Sequence, residues 1–90
     1  METKKKIIAN DETIHEIVEA QIESLGNEAD LNHIDVSAVT DMSELFHFSS
    51  FNGDISDWDV SNVTDMSLMF SDATSFNQDI GDWDVSSVTE

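Results

Sequence analysis

The sequence predicts an α/β fold, a short solenoid with one short parallel strand and one short helical turn per repeat, preceded by a strand-helix cap. Near copies of the segment 54–70 begin at Asp30 and Asp79, at offsets of 24 and 25 residues, which is the spacing of solenoid repeats. A segment of different sequence precedes the copies, as expected for a terminal cap. We therefore predict one domain with a cap, 1–29, and about two and a half repeats, 30–90.

The cap is predicted from the segments 4–9 and 11–25. The first reads as a short strand that begins with three lysines and ends in an apolar part. Asn10 is a favourable N-cap for the helix that follows, and Gly26 can adopt the left-handed conformation that ends a helix. Spacings of three and four residues place the apolar side chains of the helix on one face: Ile14, Ile17, Val18, Ile22 and Leu25.

Each repeat combines two apolar periodicities. Trp58 and Val60 alternate with Asp59, which predicts a short strand near 57–60, whereas the apolar spacing within 63–70 predicts a short helical turn. Equivalent positions of the copies carry like residues, which we expect to stack in the core: Leu31, Ile55 and Ile80; Ile34, Trp58 and Trp83; Val36, Val60 and Val85; Val39, Val63 and Val88.

Composition excludes several classes of ligand. Twenty acidic residues against three lysines give a formal charge of -17, so nucleic-acid phosphates and anionic lipid headgroups would be repelled. Cysteine is absent, which removes disulfides and thiolate metal sites. No apolar run approaches the roughly 18 residues of a membrane span, and the first residues lack the apolar segment of an export signal. The cellular compartment stays open.

The run WDVSNVTDMSLMF at 58–70, followed by SFNQDIGDW at 75–83, resembles the BspA-type leucine-rich-repeat proteins of bacteria. The resemblance covers residues 30–90 and implies a leucine-rich-repeat-like solenoid of the kind found in surface or secreted proteins that act in adhesion or host contact. The third copy ends at Glu90, before its helical turn. We therefore expect an exposed apolar end there, and self-association through this end is a hypothesis.

Aspartates recur at equivalent positions of the copies and are the main polar feature. Rows of carboxylates could bind calcium, and the candidate ligands are Asp54, Asp79, Asp59 and Asp84. The alternative is that these side chains accept hydrogen bonds from turn amides or form a solvated face, and the absence of a calcium-loop motif favours it. Among the histidines only His33 falls at a repeat position, opposite Asp57, and we expect it to face solvent.

No spacing of nucleophile, base and acid indicates catalysis, so we predict no enzymatic activity and no cofactor. The predicted function is a non-catalytic protein-interaction module that meets a basic or polar protein partner through its predicted strand face: Asp57, Asp59, Asp82 and Asp84. Two alternatives are a calcium-dependent adhesion fragment and an acidic mimic of nucleic acid that occupies a nucleic-acid-binding protein. A calcium titration followed by melting temperature distinguishes the first, and competition with DNA the second.

Overall fold

The computed structural model describes residues 6–89, and their order of elements is strand, helix, strand. Strand β1 is Ile7–Ile8, helix α1 is Ile14–Leu25 and strand β2 is Ile34–Asp35. The two strands are parallel, with Ile7 opposite Ile34. The chain measures 39 × 26 × 25 Å along its principal axes. Lys4 and Lys5 of the predicted first strand, and Glu90, lie outside the described residues.

The predicted solenoid with a strand and a helical turn in every repeat is wrong. Residues 6–89 contain one helix and one parallel pair of two-residue strands. The segment 57–60 forms no strand, and 63–70 forms no helix: it contains a single bridge at Asp65 and turns at 67–70. Two single bridges, Asp30 to Asp54 and Asp41 to Asp65, are the other strand-like pairings of this part of the chain.

Local chemistry explains why turns replace the predicted elements. Leu68 and Asp72 have φ values of 59° and 57°, and left-handed backbone at such positions interrupts a right-handed helical turn. In the segment expected to be a strand, Asp59 accepts a hydrogen bond from the backbone N–H of Ser61 at 3.1 Å. Aspartate side chains that bind nearby amides in this way favour turns over sheet pairing.

Helix α1 begins three residues later than predicted. Asn10 does not cap it directly: its side-chain oxygen accepts hydrogen bonds from the backbone N–H groups of Glu12 and Thr13, which form a turn before the helix. Thr13 is the N-cap residue of α1. The apolar stripe of the helix contacts the core chiefly through Ile14 and Val18, which are fully buried.

The core lies between α1 and the three sequence copies. Its centre contains stacked aromatic rings, with Phe46 5.0 Å from Phe51 and 5.6 Å from Phe70 between ring centroids. The rings of Trp58 and Trp83 are 6.4 Å apart and nearly parallel, at 8°. The indole N–H of Trp58 donates to the carbonyl of Leu31 at 2.9 Å, so this buried polar group is satisfied.

Candidate acidic interaction face

An Asp-x-Ser motif recurs along one row of the three copies. In each case the carboxylate accepts hydrogen bonds from the backbone N–H and the hydroxyl of the serine two residues later. The hydroxyl distances are 2.7 Å for Asp35, 2.6 Å for Asp59 and 2.6 Å for Asp84. These contacts fix the side chains as acceptors within turns. These three residues therefore follow the alternative expectation, in which the aspartate side chains accept hydrogen bonds from turn amides.

The same contacts keep this row of carboxylates ionised. The pKa of Asp59 is lowered chiefly because Ser61 donates from its hydroxyl and its backbone N–H. The negative charges of Asp35 and Asp84 act on that pKa in the opposite direction but with less effect. The pKa values of Asp35 and Asp84 are lowered by the corresponding serines, Ser37 and Ser86. The row therefore carries negative charge well into the acidic range.

Asp57 and Asp82 lie two residues before Asp59 and Asp84 and differ from them in their bonding. Both are exposed, and within residues 6–89 their carboxylates form no hydrogen bond or ion pair. The backbone at Asp57 is nevertheless fixed, because its N–H donates to the side-chain oxygen of Asn32 at 2.9 Å. These two carboxylates are available to a ligand without disturbing a turn.

The predicted face, Asp57, Asp59, Asp82 and Asp84, is exposed at all four positions. A shallow depression of about 310 Å³ lies beside its first half, and Asn32, Asp35, Asp57 and Asp59 are among its lining residues. Lys6 also lines it, with its ammonium 3.6 Å from a carboxylate oxygen of Asp35. A cation of this chain is thus already held at the edge of the depression.

The calcium candidates Asp54 and Asp79 also accept turn amides. Asp54 accepts the backbone N–H and the hydroxyl of Ser56, at 2.9 and 2.7 Å, which lower its pKa. Asp79 accepts the backbone N–H of Gly81 at 2.9 Å. No group of three or more histidine, cysteine, aspartate or glutamate side chains within 6–89 is arranged to hold a metal ion.

His33 does not face solvent as expected. It is half-buried, and its Nε2 atom lies 2.8 Å from the side-chain oxygen of Gln21 on α1. Asp57, at the equivalent position of the second copy, is not the hydrogen-bond partner of His33. The interaction with Gln21 links α1 to the first sequence copy.

Sequence reasoning missed the roles of Asn32 on this face and of Asp11 elsewhere in the fold. Asn32 orients the backbone of Asp57, and Asp11 binds the backbone N–H of Thr40 at 2.7 Å and its hydroxyl at 2.6 Å. Asn32 could have been found, because it stands 25 residues before Asp57 and precedes the motif Asp-Val-Ser. Asp11 lies outside the copies and gave no such signal.

Residues 14–90 match the family described as "Mycoplasma protein of unknown function, DUF285". The chain belongs to this family. The family match replaces the resemblance to BspA-type leucine-rich-repeat proteins, which is wrong, and with it the leucine-rich-repeat and solenoid description. No curated protein and no solved structure matches the DUF285 chain. No helix among residues 6–89 is long and apolar enough to cross a membrane.

Proposed function

We propose that this DUF285 protein is a non-catalytic interaction module that binds a basic protein segment on the acidic face formed by Asp57, Asp59, Asp82 and Asp84. The observation that carries the proposal is that the face combines two kinds of carboxylate, two that are held in place and two that are unbonded. Asp59 and Asp84 are fixed by serine hydroxyls at 2.6 Å, whereas Asp57 and Asp82 are exposed and free of turn contacts within the described chain.

Preorganised carboxylates support binding of a cationic side chain. Because serines already hold Asp59 and Asp84 in place, little side-chain entropy is lost when a ligand arrives. Guanidinium groups match such sites well, since their planar donors can bridge two carboxylate oxygens. An arginine-containing segment is therefore the partner chemistry that this face fits best.

The contact between Lys6 and Asp35 also supports a basic partner. The ammonium lies 3.6 Å from the carboxylate at the rim of the depression, and Lys6 remains largely exposed, at 71%. Next to Lys6, the depression leaves Asp57 and Asp59 open to a partner's side chain that is longer or that donates two hydrogen bonds at once. The overall charge of -17 would steer basic segments towards the protein at low ionic strength.

The proposal is tested with a hexa-arginine peptide and isothermal titration calorimetry. The Asp57→Asn, Asp82→Asn variant removes the two free carboxylates and leaves the Asp-x-Ser turns intact. Exposed charge pairs contribute about 0.2–1 kcal/mol each, and the variant removes two carboxylates, so we expect the affinity to fall by about two- to thirtyfold.

The matched control is the Glu16→Gln, Glu23→Gln variant, which makes the same change in net charge on α1, where both side chains are exposed. It should bind with an affinity close to that of the parent protein. If both variants lose affinity equally, binding follows net charge alone and the acidic face has no special role.

A further inference from the structure

A cavity of about 360 Å³ lies between helix α1 and residues 44–49 of the first sequence copy. Its volume falls at the lower end of the range for small-molecule sites. The wall from α1 includes Val18, Glu19 and Ile22, and the wall from the first copy includes Glu44, Leu45 and His47. None of these residues belongs to the acidic face. We call this site the helix cavity.

Hydrogen bonds hold the two walls of the helix cavity in place. His15, which also lines it, has its Nε2 atom 3.0 Å from the carbonyl oxygen of Ser43 and so joins α1 to the first copy. The backbone of Glu44 is fixed on both sides: its N–H donates to the carbonyl of Ser67 at 3.0 Å, and its carbonyl accepts the N–H of His47 at 3.1 Å. The cavity is therefore preorganised, which reduces the entropic cost of binding.

The polar groups of the helix cavity are chiefly hydrogen-bond acceptors. Glu19 and Glu44 contribute exposed carboxylates, one from each wall. A carbonyl can only accept, so Nε2 of His15 carries the proton and Nδ1 of the neutral ring is an acceptor. All three basic residues of the sequence fall at positions 4–6, and among residues 6–89 no lysine or arginine lines this cavity. A ligand that fits here must therefore bring donors and positive charge.

Aliphatic side chains form the rest of the lining. Val18 is 2% exposed, and Ile22 and Leu45 are half-buried against the core. An alkyl chain that covers such surface releases water from it, which favours binding. The lining therefore suits a ligand with an aliphatic body. Because the two carboxylates stand on different walls, it also suits a ligand with a cationic group at each end.

The fold does not by itself account for the polar side chains of the helix cavity. Glu44 and Leu68 stand at equivalent positions of the first two copies, and each has a φ of 59°. Since the turn accepts leucine, its backbone does not require a carboxylate. His47 corresponds to Ser71, and its Nδ1 atom is buried with no hydrogen-bond partner among residues 6–89. Buried polar atoms are normally hydrogen-bonded, so this nitrogen can gain a partner when a donor enters the cavity.

We propose that the helix cavity binds a short aliphatic diamine in its doubly protonated form. One ammonium group pairs with Glu19 and the other with Glu44, while the alkyl chain covers Ile22 and Leu45. Bound in this way, the diamine connects α1 to the first copy and stabilises the folded protein. The acidic face, in contrast, takes a basic protein segment on an open surface.

The test is a titration with 1,4-diaminobutane followed by NMR chemical shifts, compared with 1-aminobutane, which has the same alkyl chain and half the charge. The backbone amides of 15–22 and 44–49 should shift together. The diamine should bind more tightly than the monoamine, because it pairs both carboxylates. Glu19→Gln, Glu44→Gln should weaken diamine binding by about two- to thirtyfold. Either substitution alone should remove most of the advantage of the diamine over the monoamine.

The matched control is Glu16→Gln, Glu23→Gln, which makes the same change in net charge on α1 outside the lining of the cavity. It should bind the diamine as the parent protein does. Equal weakening in this control, shifts spread evenly over the acidic surface, or a monoamine that binds as tightly as the diamine would each overturn the proposal. Asp57→Asn, Asp82→Asn should leave diamine binding unchanged, so this proposal and that for the acidic face fail separately.

Discussion

The carboxylate of Asp11 accepts two hydrogen bonds from Thr40, one from its backbone N–H at 2.7 Å and one from its hydroxyl at 2.6 Å. In the later copies a carbonyl makes the equivalent interaction: Thr64 donates its N–H to the carbonyl of Thr40 at 2.8 Å, and Thr89 donates to that of Thr64 at 2.9 Å. Asp11 therefore provides Thr40 of the first copy with a hydrogen-bond acceptor, as the carbonyls of Thr40 and Thr64 do for the threonine of the next copy.

Replacing Asp11 should destabilise the fold. Asp11→Ala leaves the N–H groups of Thr40 and Asp41 without their acceptor, and we expect the free energy of unfolding to fall by about 1–2 kcal/mol. Urea denaturation followed by circular dichroism measures the change. Glu12→Ala, at the exposed neighbouring position, is the control and should change stability much less. Equal losses in both variants would show that Asp11 has no capping role.

Stability should decrease in acid. Hydrogen bonds lower the pKa values of six aspartates below their usual 3.8: Asp11, Asp35, Asp54, Asp59, Asp65 and Asp84. A carboxyl with a lowered folded-state pKa stabilises the fold above its unfolded-state pKa, and this stabilisation is lost as pH falls through the folded-state value. The free energy of unfolding should therefore fall below about pH 4.

Urea denaturation at a series of pH values checks this behaviour. Ser61→Ala removes the hydroxyl that contributes most to lowering the pKa of Asp59, so its stability should depend less steeply on pH in the acidic range. If the parent protein becomes more stable between about pH 5 and about pH 3, repulsion among the aspartates outweighs their hydrogen bonds.

The two tryptophans should differ in their contribution to stability. Trp58 is buried and donates to the carbonyl of Leu31 at 2.9 Å, whereas half-buried Trp83 donates to that of Ile55 at 3.1 Å. Trp58→Phe removes a buried hydrogen bond, although the Leu31 carbonyl still accepts the N–H of Ile34 at 3.1 Å. We expect the lost bond to cost about 0.5–1.5 kcal/mol. Trp83→Phe should cost less, because water can reach its surroundings. Thermal unfolding by circular dichroism compares the variants, and an equal loss for both would contradict the difference in burial.

Gly53 is required by close packing, whereas Gly81 is not. A Cβ atom at Gly53 would overlap the backbone carbonyl of Ala29 and approach the Phe51 ring at 2.5 Å. Gly53→Ala should therefore destabilise the protein by about 1–3 kcal/mol. At Gly81 the nearest atom is an Asp79 carboxylate oxygen at 3.2 Å, so Gly81→Ala is the matched control. Similar melting temperatures for the two variants would contradict this packing.

The register of the sequence copies could be predicted, but the backbone conformation of each copy could not. Offsets of 24 and 25 residues align Thr40 with Thr64 and Thr89, which the structure joins by hydrogen bonds. The apolar spacing that predicted a helical turn at 63–70 ignored the frequent Asp-x-Ser motifs. These motifs favour turns, and the left-handed backbone at Leu68 follows from no apolar pattern.

The candidate site was predictable in part for the same reason. Asp57 is equivalent to Asp82 in the sequence copies, Asp59 is equivalent to Asp84, and all four are exposed. The different bonding of Asp57 and Asp59 was not evident, because it depends on the serine two residues after Asp59 and on Asn32 of the preceding copy. Contacts between segments that are distant in sequence, such as that of Asp11 with Thr40, can be identified only from the folded structure.

Mapping of the hexa-arginine peptide by NMR chemical shifts tests the proposed acidic face most directly. We expect the backbone amides of 57–61 and 82–86 to shift together as peptide is added, and the Asp57→Asn, Asp82→Asn variant to lose these shifts. Shifts confined to the glutamates of α1, or spread evenly over the acidic surface and unchanged in that variant, would contradict the assignment of binding to this face.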